Sequence, residues 1–204
     1  MKGYLAASKK LFKSTTPVRD IDVVLDNIGS QSSNHQIQKV VSGTHLERMQ
    51  LVTNTLQYAS ILIDMKGPKI KKDDLSSVAI LKRKNKIVRR LLAKLQEEMP
   101  IVIGDFRKFR ELHDVRKDCK KLRYTLEIIP VERETKLLEL MKQWQTLLGN
   151  VRDIEVTEKF AEEKGLLEDL EGALTSMRIS RDRMFGSFSG ASTLEEYTRP
   201  IELI

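Results

Sequence analysis

Apolar residues recur along this chain at three- and four-residue intervals, and no stretch alternates apolar with polar positions as a half-buried strand would. The spacing predicts helices over about 2–14, 18–28, 44–65, 73–99, 103–129, 134–149, 151–164 and 166–186. Breakers fall between these segments: Gly67 with Pro68, Pro100, Gly104, Pro130, Gly149 with Asn150, and Gly165. Asp73 and Asp74 supply anionic residues for a helix start. Residues 29–43, GSQSSNHQIQKVVSG, read as the longest interior loop, and 187–204 as an irregular tail. An all-α chain follows, with one helical domain over 1–186.

Within that pattern the run 112–129 is the most informative. At about 100° per residue one helix turns Val115, Cys119, Leu122, Leu126 and Ile129 to one face. His113, Arg116, Lys117, Lys120, Lys121, Arg123 and Tyr124 fall on the other. Like charges one turn apart repel by about a few tenths of a kcal/mol per pair, so such a strip implies an anionic ligand that offsets the repulsion. Guanidinium and ammonium groups at one-turn intervals suit linked phosphates. A second basic helix, 81–94, holds seven cations and no acid. Its expected inward stripe is Leu81, Val88, Leu91, Leu92 and Leu95, which leaves Lys82, Arg83, Lys86, Arg89 and Arg90 outward. Arg178, Arg181 and Arg183 on 177–185 are its counterpart later in the chain.

Charge distribution sharpens this picture. The 204 residues carry a net charge of +7. Between 82 and 123, however, 15 Lys and Arg face 6 acids, so this segment alone carries +9 and the remainder −2. From 132 to 171 the sign reverses, with 11 acids against 6 bases. A localised field of this kind steers polyanions. With 40% hydrophobic residues the chain can bury a core, yet no stretch is apolar enough to span a membrane, and the opening MKGYLAASKK lacks the apolar stretch of a signal peptide. Cys119 is the only cysteine, which excludes an internal disulfide and a cysteine-based zinc cluster. On its apolar face it reads as a small buried hydrophobe, and a reducing cytoplasm is the expected compartment.

An internal repeat organises the chain. Val18, Arg19, Asp20, Ile21, Asp22 and Val23 recur as Val151, Arg152, Asp153, Ile154, Glu155 and Val156, an offset of 133 residues, each after an amphipathic helix. Repeat one covers about 1–100 and repeat two about 101–186. Each Asp can cap a helix start with the adjacent Arg pairing locally, or Arg19 and Arg152 can reach a ligand.

The pattern His113, Arg116, Lys120, Lys121, Leu122, Arg123, Tyr124, Glu127 resembles the second half of a conserved histidine α-helical domain, or CHAD, as does the later run from Leu147 to Val156 (LLGNVRDIEV). The resemblance covers roughly 103–164, and 1–28 through the repeat. It implies two pseudo-symmetric antiparallel helical bundles whose basic helices line a central cleft, and binding of inorganic polyphosphate without cofactor or catalysis, in the cytoplasm or on polyphosphate granules. The chain departs from the family in its first repeat, which opens at Met1 already inside the helix that follows the family's first His/Arg helix. Leu56, Gln57 and Tyr58 echo that helix without its charges. The first repeat is therefore incomplete, its half of the cleft lost through a late start or supplied by a second subunit as a homodimer.

Catalytic motifs fail their context. Glu132, Arg133, Glu134, Thr135 and Lys136 match the E-x-E-x-K signature of triphosphate tunnel enzymes, but that motif works on a strand of a β-barrel, and here it follows Pro130 and leads into a helix. His35, His45 and His113 share no metal-ligand spacing with carboxylates, and no phosphate-binding glycine loop occurs, so neither metal nor catalytic residues are assigned. Protonated beside a phosphate, His113 would donate through both nitrogens; its other role is a hydrogen bond at the helix edge. Two rivals to polyphosphate binding remain. A nucleic-acid module would need a stacking platform, and only Phe106, Phe109 and Tyr124 lie near the basic patch. A polyphosphate phosphohydrolase would need metal-binding carboxylates there, for which Asp114 and Asp118, expected on the helix flank, are poorly placed.

Overall fold

A computed structural model describes residues 2–29, 35–69, 76–103, 105, 107–189 and 194. Its helices are α1 (Lys2–Ile28), α2 (His35–Asp64), α3 (Ser77–Val102), α4 (Phe109–Ile128), α5 (Thr135–Glu163) and α6 (Glu171–Ser189), with a short 3-10 turn at Glu132–Glu134 before α5. No strand occurs among the described residues, as the period predicts. None of these helices is long and apolar enough to cross a membrane. Asp73, Asp74, Gly104, Phe106 and most of the expected irregular tail lie outside the described residues, and the start of that tail, 187–189, is instead the last turn of α6.

Two expected breaks are continuous helix. Pro17 lies inside α1, and Gly149 with Asn150 lies inside α5, the same place in the two repeats. Proline removes a backbone donor. In the preceding turn Ser14 Oγ donates to Leu11 O and Thr15 Oγ1 to Phe12 O, both at 2.8 Å. Half of the expected 29–43 loop is also helical. Ile37, Val40, Val41 and Thr44 form a one-sided stripe, and burial of that stripe outweighs the poor helix propensity of the polar residues between. Pro100 falls in the last turn of α3, which still closes through Ile103 N on Met99 O at 3.0 Å. α3 starts at an N-cap, Ser76, whose Oγ accepts from the Ala79 amide at 3.2 Å. Gly165 ends the turn after α5 with φ +69°, while Leu166 N donates back to Ala161 O at 2.8 Å, a cap that needs a residue able to adopt a left-handed conformation.

The chain divides into two compact units, Met1–Ile70 with Asp153–Met177, and Lys71–Arg152 with Arg178–Ile204. In the first, Val24, Ile28, Ile37, Ala161, Leu166, Leu170 and Leu174 form the core, and Asn27 Nδ2 donates to Thr157 Oγ1 at 2.8 Å beside it. In the second, the apolar stripes of α3 and α4 close over Leu137, Leu140, Met141, Trp144 and Leu148 of α5. Trp144 meets Phe188 edge to face, with ring centroids 5.6 Å apart. Each fully buried side chain of this kind contributes about 1.5–3 kcal/mol. Cys119 is fully buried here, as expected. Leu81 is not: Lys84, one turn later in α3, already reaches the carbonyl of Ile129 at the end of α4, so Leu81 lies beyond its partner helix and is exposed.

Candidate anion-binding site

The basic strip begins with helix geometry. The inward face of α4, Leu112, Val115, Cys119, Leu122 and Leu126, is fixed by the core of the second unit. His113, Lys117, Lys121 and Tyr124 are consequently exposed and Arg116, Lys120 and Arg123 half-buried. Arg116 extends along α5, where a Cβ on Gly149 would sit 3.8 Å from its Nε. A methyl there would make ordinary contact with the guanidinium, and a larger side chain would meet it. Arg123 lies over the Tyr124 ring, its Cζ 4.5 Å from the centroid, and Lys120 Nζ is 5.7 Å from it. The aromatic face thus gathers two cations, a contact of about 0.5–1 kcal/mol each when exposed. Arg123 also approaches Glu127 Oε1 at 3.8 Å.

Not every cation of the strip is equivalent. Lys117 pairs with Asp114 at 2.5 Å and Lys121 with Asp118 at 2.6 Å. Asp118 also takes the ammonium of Lys94 from α3. Far from lying on the flank, Asp118 is buried; burial opposes its charge, but the hydrogen bonds from Lys121 and Lys94 outweigh it and hold the carboxyl below the usual range. The Lys94 ammonium is raised by the same bond and by Glu98. Asp114 and Asp118 therefore neutralise Lys117, Lys121 and Lys94. Arg116, Lys120 and Arg123 occupy the α5 side, where, among the described residues, Lys120 has no carboxylate partner.

His113 belongs to this second side. Burial lowers its imidazole below the ordinary value, and Lys117, Arg152 and Arg116 lower it further against the weaker pull of Asp114. Its charge thus brings Arg152, from the repeated motif on α5, into the same electrostatic neighbourhood as His113. Its repeat mate Arg19 belongs to the first unit, where it lies 3.6 Å from Asp153.

On α3, Lys82, Arg83, Lys86, Arg89 and Arg90 are all exposed, as expected. Lys82, Lys86 and Arg89 join Asn85, Val78 and Leu81 along a surface groove of about 500 Å³. Arg178 is half-buried, and Arg181, expected at the ligand, is buried and donates to Asp182 Oδ1 at 3.2 Å. Sequence reasoning missed three parts: Gly149 as the floor under Arg116, Asp118 as a buried acceptor, and Lys84, which sits inside with its ammonium on Glu134 and on Ile129 O. The Asp-to-Lys spacing of three residues within α4 was a readable signal for the second; the other two needed the fold.

Among the described residues no group of three His, Cys, Asp or Glu could hold a metal ion. The Cys119 thiol, pushed up to about 12 by burial, supplies no thiolate near neutral pH. What the α4 face offers is hydrogen-bond donors and positive charge. Comparison with curated proteins and with solved structures gives no match. The model of the CHAD domain matches residues 2–162, which takes in α1 through all but the last residue of α5, and with it the α4 strip, Gly149 and both copies of the repeated motif. The chain belongs to the CHAD domain family.

Proposed function

We propose that the protein binds inorganic polyphosphate on the α5-facing side of α4 and performs no chemistry on it. The observation that carries this reading is the arrangement of charge around α4: Asp114 and Asp118 are spent on Lys117, Lys121 and Lys94, while Arg116, Lys120 and Arg123 stand at one-turn intervals near His113 and Arg152, with Glu127 at 3.8 Å from Arg123. Phosphate oxygens would accept charge-assisted hydrogen bonds from these groups in succession along the helix. Membership of the CHAD family is compatible with it. The exposed cations of the α3 groove extend the field in which a long polyanion is captured. Such a protein would work in the cytoplasm or on polyphosphate granules.

Two observations weigh against the rivals. Arg123 and Lys120 cover the Tyr124 ring, so the aromatic serves the cations rather than a stacked base. Asp118, needed for a metal-dependent hydrolase, already accepts from two lysines. Titration with labelled long-chain polyphosphate, competed by RNA of equal charge, tests the reading: polyphosphate should bind and RNA compete poorly. Equal competition would favour a nucleic-acid module, and release of orthophosphate would establish a hydrolase.

A further inference from the structure

The first unit contains a surface that is no part of the anion site proposed above on α4. Ile21, Val24 and Ile28 are the buried residues of α1, and Ile37 and Thr44 those of α2. Residues 2–20 of α1 and 45–64 of α2 bury none. These two stretches pack on each other as an antiparallel hairpin: Thr55 Oγ1 donates to Ser14 O at 3.1 Å, Arg48 pairs with Asp22, and Met65 Cε lies 3.5 Å from where a Cβ on Gly3 would sit. That register sets Ile63 level with Leu5 and Leu56 level with Phe12. Helical geometry puts both pairs on one side of the hairpin. Leu5 is 50%, Phe12 75%, Met49 64%, Leu56 61% and Ile63 81% exposed.

The pattern of these residues names what covers them. Met49, Val52, Leu56, Ala59 and Ile63 are spaced 3, 4, 3 and 4 apart, the spacing with which one helix receives another in a left-handed coiled coil. From 49 to 63 the chain has 15 residues and no charge. Along this strip of α2 a charged partner would find nothing to pair with, whereas an uncharged strip meets its own copy without repulsion, as an isologous two-fold contact requires. The internal repeat supports a helical cover. In the second unit, the half of α5 equivalent to 2–16 buries Leu137, Leu140, Met141, Trp144 and Leu148 beneath neighbouring helices. Apolar area of this extent, left in water, is a mark of an interaction site.

We infer that the α1–α2 hairpin is the dimerisation surface of the protein, two copies pairing α2 against α2 antiparallel, with Leu56 at the two-fold axis, to complete a four-helix bundle. Leu5 and Phe12 then seat against the partner's α2, and Lys9 and Lys13 remain at the rim.

Light scattering on the full chain should give the mass of two chains. Leu56→Glu and Phe12→Glu should each give one chain with unchanged helical circular dichroism, since both side chains are exposed. Ile179→Glu, at an exposed apolar position on α6, should stay dimeric. Leu56→Cys should cross-link to its own copy under mild oxidation, because Cys119, with its thiol buried and pushed up to about 12, cannot compete. A native chain that is monomeric, a dimer that survives both glutamates, or no cross-link from Leu56→Cys would overturn the inference. So would a monomer that binds anionic phospholipid vesicles through this face, which would make the hairpin, with its four lysines at 2, 9, 10 and 13, a membrane-surface anchor.

Discussion

Two residues with opposite fates show how environment assigns a role to a charge. Lys84 belongs by sequence to the basic helix 81–94, yet it is 2% exposed and its ammonium is held by Glu134 and the Ile129 carbonyl. Removing one partner of such a pair leaves the other charge buried, so Lys84→Ala should destabilise the fold by about 3–5 kcal/mol in urea unfolding, while the folded fraction keeps its polyphosphate affinity. His113 is the converse, exposed enough to meet a ligand and tuned by its neighbours. Its free-state pKa is lowered by burial and by Lys117, Arg152 and Arg116. A bound polyanion would raise it, so binding takes up a proton and affinity should strengthen as pH falls from about 8 towards about 5. Isothermal titration in buffers of different ionisation enthalpy checks the sign. In His113→Gln the proton uptake should vanish; its persistence would assign the linkage to another group.

At the scale of elements, the helices were legible because their apolar stripes are long, and the stripe of α4 alone located the cationic face. The breaks were not. Pro17 and the Gly149–Asn150 pair are helix breakers by propensity, but each sits in the middle of a helix whose two halves contribute burial, and packing over a long helix outweighs about 1–3 kcal/mol of local preference. Nor could the sequence reveal which cations were already neutralised. Lys94 meets Asp118 across 24 positions and Lys84 meets Glu134 across 50, distances that only the antiparallel packing of α3 on α4 and the turn after it bring together. Gly149 turns this misreading into a prediction. Gly149→Ala adds a methyl at ordinary contact distance from Arg116 and should stabilise α5 by about 0.5–1 kcal/mol with binding unchanged. Gly149→Leu would displace Arg116, so its polyphosphate affinity should drop about tenfold at equal helicity in a direct titration.

At the scale of the whole molecule, the concentration of +9 within 82–123 in a chain of net +7 makes binding electrostatic but local. If about six phosphates are neutralised, the slope of log affinity against log salt should be about −4 by analogy with single-stranded nucleic acid. A flat response would contradict any reading based on this charge. The measurement that addresses the central claim most directly compares two triple variants of identical net charge. One replaces Arg116, Lys120 and Arg123 by Ala; the other replaces Lys142, Lys159 and Lys164, of which Lys159 and Lys164 already face Glu163 and Glu47 at 3.7 and 3.6 Å. Hydrogen bonds to charged groups contribute about 1.5–3 kcal/mol each, so the α4 triple, measured at a temperature where circular dichroism shows it folded, should lose roughly a hundredfold or more in polyphosphate affinity. The second triple should lose a few-fold at most. Equal losses in the two would show that affinity follows net charge alone, and the α4 site would be wrong.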